Sequence, residues 1–565
     1  MGLINGSLQI GRSALLAHQA AMQVIGNNVA NAGDPNYTRQ TAVLSPVRGM
    51  RLIEGSDPGA GVQVTSLQRH IDYALEQRLR SSMSELNYDD VCGQMLSRLE
   101  ALYNEMTDTD LSSALSEFFN AWSELQSKPH DVSTRNVLVQ VAQSLSDQIG
   151  MLRQDVVDLY HNMGQVLDEA VDQINDYAGQ IARLNVEIAN ASAAGKSPSA
   201  LLDQRDKMLK QISELIDVEV IEHPAGDVTV YLAGDPLVQY NSARQLEVRR
   251  EGNGDLVVPS VVFADSGRTV ESSSGKVGAI TWMIDDFVTG NLQQLDTLSQ
   301  GLIFEVNKIH SSGQGIEGYA SLTSEHAVSD ASAALNAAGL TFSPQNGSFI
   351  VRVHDSHTDQ YTVHQINVDL NGMGADMSLN GLAAELSAIA GVTATVQANN
   401  KLKIETTSSN YTVSFGEDSS HVLAALGLNS FFSGTSAADI AVASPIAENP
   451  QLIAAGRNGT TGDGSNAELI AGLRTAGADS LGGSSIPDFY RTIVSELGTQ
   501  TAGARNNYSI HAAVTETLQA QREAISGVNI DEEAVDLLAA QRAFQGAARF
   551  INVINELTQE IMNLI

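Results

Sequence analysis

Leu138, Leu145, Leu152, Leu159 and Val166 are spaced by sevens, and the run they open constrains the chain more than any other feature. A second series, Ile149, Val156, Met163, Ala170, Tyr177 and Leu184, supplies the other position of a heptad seam. After Val166 the first series slips by one residue, to Leu167, Ile174, Ile181 and Ile188. A nearly straight helix does this, because about 3.6 residues per turn drifts against a repeat of about 3.5. The pattern predicts one helix across 133–190, a rod on the order of 85 Å long. Globular enzymes seldom need such an element. The rod should end near Ala193-Ala194-Gly195, where Ser197 as cap and Pro198 at the first position open another helix to about Ile216.

Residues 67–127 also read as helical. From Val218 the period changes to two, and VEVIEHPAGDVTVYLAG and RQLEVRREGNGDLVVPSVVF read as hairpins. Helix returns at about Ile280 to His310, with Leu292, Leu295, Leu298, Leu302, Val306 and Ile309 on one face. Residues 320–445 read as mostly β, with SLNGLAAELSAIAG as one inserted helix, and the final hundred as helical. Near the start, Leu8, Leu15, Met22 and Val29 form a heptad series. Near the end Ile530, Leu537, Phe544 and Ile551 form another, flanked by Ala540, Ala547, Ile554 and Ile561. Asn529 can cap that last helix, with Glu532 three residues on and Asp531 to Glu533 complementing its dipole.

This order predicts an elongated, multidomain α+β chain that travels outward and returns. Its terminal helices pair as a coiled coil, a long helical bundle forms the base, and β-rich domains lie outside. The expected divisions are 1–60 with 521–565, 61–217 with 279–318 and 465–520, 218–278, and 319–464.

Composition excludes several functions. The net charge is −34, from 32 basic against 66 acidic residues, so a nucleic-acid partner is not expected. The lone cysteine, Cys92, can build neither a disulfide nor a cysteine metal site within one chain and reads as a small buried apolar residue. The N-terminus lacks the basic start and apolar core of a cleaved signal peptide, and no run is long enough for a membrane span.

Three motifs imitate ligand sites. Gly313-Gln-Gly315-Ile-Glu-Gly318 has the spacing of a dinucleotide loop but follows a helix where that loop requires a strand. Gly195-Lys196-Ser197 resembles the end of a phosphate loop, but Asn190 stands where its first glycine belongs. His354, Asp355, His357, Asp359 and His364 are close in sequence, yet in a strand 354 and 357 face opposite ways. No catalytic, cofactor or metal site is expected.

GNNVANAGDPNYTRQ, Gly26 to Gln40, crowds four asparagines behind a well-patterned helix. The plain reading is a helix stop and a turn. The segment also resembles the N-terminal signature of the rod, hook and hook-associated proteins of the bacterial flagellum. SGVNIDEEAVDLLAAQRAFQGAARFINVINELTQEIMNLI, Ser526 to Ile565, resembles their C-terminal signature. LLDQRDKML, FEVNKIHSSGQGIEG, LAALGLNSFFSGTSAADIAV and NPQLIAAGRNG are similar, in the same order, to segments of the family member at the hook–filament junction. Asp34-Pro35-Asn36-Tyr37 replaces the family's Thr-Pro-Gly-Tyr-like turn, with Asn36 expected to take the left-handed conformation that glycine would supply.

The resemblance implies an extracellular structural protein that polymerises between hook and filament and leaves the cell unfolded, without a cleaved signal. Its implied partners are copies of itself, hook subunits, the next hook-associated protein and a cytoplasmic export chaperone held by the C-terminal helix. No membrane insertion is implied. The implied assembly residues are Leu8, Leu15, Met22, Asn27, Asn28, Val29, Asn31, Tyr37, Arg39 and Gln40, with Ile530, Leu537, Phe544, Ile551, Ile554 and Ile561 at the other end. Asn27 and Asn31, one helical turn apart, are expected to bridge subunits. Asn28 and Asn36 are expected to serve the stop and the turn.

Overall fold

The computed structural model describes residues 2–48, 59–103, 110–253, 256–457 and 462–564. In chain order the first elements are α1 (Gly2–Ala30), β1 (Gln40–Pro46), β2 (Val62–Arg69), α2 (Tyr73–Tyr103), α3 (Leu111–Ser127), α4 (Val132–Ala193) and α5 (Ser199–Leu215). Short strands follow: β3 (Glu219–Glu222), β4 (Val228–Leu232), β5 (Asp235–Gln239), β6 (Ser242–Ala243), β7 (Leu246–Asn253) and β8 (Leu256–Phe263). Then come α6 (Gly275–Trp282), α7 (Thr289–Ser311), β9 (Ser321–Thr323), β10 (Gly347–Asp355), β11 (Gln360–Val368) and α8 (Leu379–Ser387). Next are β12 (Val392–Val396), β13 (Leu402–Thr406), β14 (Tyr411–Gly416), α9 (Val422–Leu426), β15 (Phe432–Ser433) and β16 (Ala441–Val442). The chain closes with α10 (Ser444–Glu448), α11 (Ser465–Gly472), α12 (Ile486–Ser526) and α13 (Ile530–Leu564).

The long helix is present as α4, 62 residues without a break. Its buried face runs Leu138, Ala142, Leu145, Ile149, Leu152, Val156, Tyr160, Met163, Leu167, Ala170, Ile174, Ala178, Ile181, Asn185 and Ile188. The slip therefore falls earlier than the heptads placed it, at Tyr160 instead of Leu159. A second slip puts Ala178 and Asn185 inside where Tyr177 and Leu184 were expected. Two successive steps of four, at 152–156–160 and again at 170–174–178, restore the α-helical period.

Other boundaries move for local reasons. Residues 67–127 hold the end of β2 and two helices, the second capped by Asp110, whose Oδ1 accepts from the Ser113 amide at 2.6 Å. Ser197 does not cap α5: Pro198 precedes it, and the Ser197 hydroxyl instead accepts from the Leu67 amide. The helix expected from Ile280 starts at Gly275, and a π-helical turn at Met283–Val288 carries Met283, Ile284 and Val288 all inward.

The chain forms two compact units: residues 1–94, 163–284 and 503–565, and residues 95–162 and 285–502. In the first, α1 packs on α13 and on the β1–β2 hairpin, β3 to β6 form an antiparallel meander, and β7 pairs with β8. Asn175 and Asn185 of α4 hold those strands. Each carboxamide accepts from the amide and donates to the carbonyl of one strand residue, Leu246 and Val228 respectively.

In the second unit, α3, α7 and α11 surround an aromatic cluster of Phe118, Trp122, Phe431 and Phe432, all under 2 % exposed. Phe431 and Phe432 come from the block expected at 319–464, so that block and the helices share one core. Two three-stranded sheets, β11-β10-β14 and β12-β13-β9, complete this unit.

Candidate assembly joint at the chain termini

Helix α1 ends where the Asn31 amide donates back to the Asn27 carbonyl at 3.1 Å. The next residues fold over Asp34: its Oδ1 accepts from the Asn36 amide at 2.9 Å and its carbonyl from the Tyr37 amide at 3.1 Å. Asn36 does not take the expected positive φ. The aspartate that replaces the family threonine closes the turn with its own side chain, so a left-handed residue is not needed.

Asn28 is the centre of the joint and is 1 % exposed. Its Oδ1 accepts from the Gln40 amide at 3.1 Å and from the Tyr37 hydroxyl at 2.8 Å. Its Nδ2 donates to the Gln40 carbonyl at 2.9 Å and to Glu533 Oε2 at 2.8 Å. Those four bonds exhaust the capacity of a carboxamide. One side chain therefore ties α1 to the start of β1 and to the first turn of α13, 505 residues away. Assigning Asn28 to the helix stop was wrong, because that reading considered only neighbours in sequence.

Glu533 is 1 % exposed and stays buried because it is paired. Its second oxygen accepts from Arg39 Nε at 2.7 Å, while the Arg39 NH1 reaches Glu532 at 3.1 Å and the NH2 lies 3.6 Å from Asp536. The Arg39 amide also donates to the Ser526 carbonyl at 2.8 Å, just before α13 begins. Arg39 thus clamps the acidic first turns of α13. Glu532 turns to Arg39 instead of completing a capping box, and Asn529 alone caps, its Oδ1 accepting from the Asp531 amide at 3.0 Å.

Asn27 is exposed and Asn31 half-buried, and they bond mainly to each other, Asn31 Nδ2 donating to the Asn27 carbonyl at 2.8 Å and to its Oδ1 at 3.2 Å. Asn27 Nδ2 donates to the Tyr37 hydroxyl, whose pKa is raised by burial.

A second tier of charges braces the joint. Arg69 NH2 donates to Thr38, Asp203 and Asp206. Burial pushes against the charge of Asp206, but Arg205 and Arg69 overcome it and hold the carboxyl below its ordinary range. Arg522 bonds Glu76 at 2.7 Å and the Pro35 carbonyl at 2.6 Å. Between this turn and the 520–532 segment lies a polar cleft of about 570 Å³, lined by Pro35, Tyr37, Arg39, Arg522, Asn529 and Glu532 among others.

The apolar seam is only partly closed. A Cβ on Gly11 would stand 2.5 Å from Ile551, so α1 and α13 touch closely there. Leu8, Leu15, Met22, Phe544, Ile551 and Ile554 are half-buried, whereas Val29, Ile530, Leu537 and Ile561 are exposed. Leu16, Val535, Leu538, Val553 and Leu557 are exposed as well, Val535 to 66 %.

Sequence reading missed Glu533, Arg69 and Arg522. Glu533 was visible only as one of three acids in a first turn, where a buried acid looks like its exposed neighbours. The motifs that imitate ligand sites are structural. Cβ atoms on Gly313, Gly315 and Gly318 would strike Asn466, the 451–452 backbone and Thr412, so these glycines admit close chain crossings. His354 stacks on Tyr361 and meets Asp359 at 3.1 Å. Burial pushes the Cys92 thiol up to about 12. Among the described residues no cluster of His, Cys, Asp and Glu could hold a metal ion, and no helix is long and apolar enough to cross a membrane.

Comparison with known families follows this geometry. Residues 8–38 match the flagella basal body rod protein family, and residues 519–564 the flagellar basal body rod FlgEFG protein C-terminal family. These are the two halves of the joint. Residues 96–322 match the helical domain of the flagellar hook-associated protein FlgK. The chain resembles flagellar proteins at all three segments, most extensively a hook-associated one. It is similar to flagellar hook-associated protein 1 of Salmonella typhimurium strain LT2, 29% identical over 98% of both chains. The protein of the same name in Escherichia coli K12 is 26% identical over 100% of this chain and 99% of that one. The Bacillus subtilis protein of that name is 24% identical over 98% and 97%. The fold is similar to that of the flagellar hook junction protein FlgK from Burkholderia pseudomallei, with a TM-score of 0.53 and 14% identity, over 80% of this chain and all of the other.

Proposed function

We propose that this chain is a structural subunit of the flagellar axis that polymerises at the junction of hook and filament and joins the two. The observation that carries this reading is the joint itself: Asn28, Arg39 and Glu533 lock the two chain ends together, while α1 and α13 keep large apolar side chains exposed around that lock. Such a surface calls for further copies of similar helices. The full-length similarity to proteins named hook-associated protein 1 supports placing it at the junction.

The chain then acts by assembly and has no catalytic role. Its partners are copies of itself, hook subunits on one side and the next hook-associated protein on the other. It leaves the cell unfolded through the flagellar export machinery, and a cytoplasmic chaperone holds the apolar face of α13 before export.

Electron microscopy of cells lacking the protein tests the reading. Hooks should form, filaments should not stay attached, and the labelled protein restored to those cells should sit as a narrow band at the junction. Label along the whole hook or filament would instead make it another axial subunit.

A further inference from the structure

Asn371 and Gly372 lie in the exposed segment between β11 and α8. Asparagine followed by glycine is prone to ring closure, because no side chain shields the attacking backbone nitrogen. Two further observations distinguish this pair. The Gly372 amide donates to Asp376 Oδ1 at 2.9 Å, so a carboxylate already holds the proton that must leave that nitrogen. Asn371 Oδ1 accepts from the Met373 amide at 2.7 Å, so a donor already polarises the side-chain carbonyl under attack. Gly372 has a φ of +71°, a conformation that costs glycine least.

We propose that Asn371 is a self-modifying site, converted by its own loop to aspartate and isoaspartate. The Gly372 nitrogen forms a bond to Asn371 Cγ while its proton passes to Asp376 Oδ1. The Met373 amide stabilises the oxyanion on Oδ1. The Cγ–Nδ2 bond then breaks, and ammonia departs with the bonding pair and the proton that Asp376 returns. This leaves a succinimide. Solvent water adds to either ring carbonyl: at Cγ it gives aspartate, and at the main-chain carbonyl it gives isoaspartate with the backbone rerouted through the side chain. No oxidant or cofactor enters, and the loop gains one negative charge.

The other Asn-Gly pairs within the described residues lack this arrangement. Asn5-Gly6 lies inside α1. The Gly381 amide, in α8, donates to the neutral hydroxyl of Ser378. Asn346 Oδ1 is taken by the Leu370 amide, and Gly347 is fixed in the β10–β11 ladder opposite Val368.

The test is peptide mapping by mass spectrometry of the full folded chain, incubated at physiological temperature and pH. Asn371 should become about one mass unit heavier at least about ten times faster than Asn346 and Asn380. An isoaspartate-specific methyltransferase should label the same peptide. In denaturant, where only the local sequence matters, the three rates should converge. Asp376→Ala should slow Asn371 about ten-fold or more and leave the other two unchanged. Gly372→Ala should stop it. An intact Asn371 amide in the folded chain, a preference that survives denaturant, or an undiminished rate in Asp376→Ala would each overturn the proposal.

Discussion

Asn28 in the first unit and Asn307 in the second make the same bonds in opposite surroundings. Asn28 grips the amide and carbonyl of Gln40; Asn307 grips the amide and carbonyl of Phe432, at 3.0 and 2.8 Å, and the Phe431 amide besides. Around Asn307 the chain is closed: Trp122, Phe118, Phe431 and Phe432 stack nearby, and His310 is fully buried. Around Asn28 it is open, with ion pairs on one side and exposed Leu16, Leu538 and Val553 on the helices that carry it. A carboxamide bracket fixes register wherever it occurs. Both asparagines are 1 % exposed, so a partner left unpaired is costly at either; what differs is the packing around them, a closed aromatic cluster at Asn307 and half-open helices at Asn28. The closed bracket completes a core. The open one aligns two chain ends whose helices keep large apolar side chains exposed.

The comparison breaks most visibly if the closed bracket proves dispensable. Asn307→Leu strands three backbone groups of Phe431 and Phe432, at about 1–3 kcal/mol each, and should cost the second unit about 3 kcal/mol or more in urea unfolding. A loss under about 1 kcal/mol would show that the cluster relaxes around the gap.

Acid should reach the closed region next. His310 Nδ1 donates to the Asn429 carbonyl at 2.8 Å and Nε2 accepts from the Ala454 amide at 2.9 Å, so a proton on Nε2 would face another donor. Burial holds His310 at about 4 against an ordinary 6.5. A folded value below the unfolded one means the stability is whole above pH 6.5, falls as the unfolded chain takes up protons, and is lost by about pH 4. The decline should be on the order of 3 kcal/mol, with His326 and His421, also lowered by burial, adding in the same direction. A flat profile over that window, by denaturant titration at each pH, would contradict it.

The open bracket should give smaller effects. Asn28→Ala leaves the buried Gln40 amide and Glu533 Oε2 each short of a partner and should weaken the joint by about 1–2 kcal/mol. It should speed hydrogen exchange at the Gln40 amide about ten-fold, the equivalent of one lost bond. Smallest of all, Asn27→Ala with Asn31→Ala should be close to neutral in the monomer, since Asn27 is an exposed helical asparagine and Asn31, just past the helix end, bonds mainly to it. The same double variant should polymerise poorly, by sedimentation. A lower melting temperature with normal polymerisation would assign that pair to the chain's own fold.

What could be read from sequence was periodic. The apolar seam of α4 announced a single long helix because each residue's environment repeats with the turn, and the error of one residue at Tyr160 came from extending a period of seven too far. Arg39 and Gln40 were placed in the joint by likeness to the family's signature, not by their chemistry. Asn28, expected at the helix stop, bonds Glu533 505 residues away, and nothing local marks it as buried. The Ser197 cap failed for a similar reason: its hydroxyl had a better use on the Leu67 amide. Contacts between distant segments leave no period, and they decide which of several similar polar residues goes inside.

The central claim is that the terminal helices are aligned by the polar joint and completed by neighbouring subunits. Ordering a helix costs on the order of 1–2 kcal/mol per residue, and half-buried seam residues such as Leu8, Leu15 and Ile554 return only part of that. Two helices of this quality should be marginal in the free subunit. Hydrogen exchange on the purified monomer tests this most directly. The account predicts rapid exchange through 8–30 and 535–560 with strong protection across 138–188, and protection of the terminal segments only after polymerisation. Strong protection throughout both terminal helices in the monomer would contradict it.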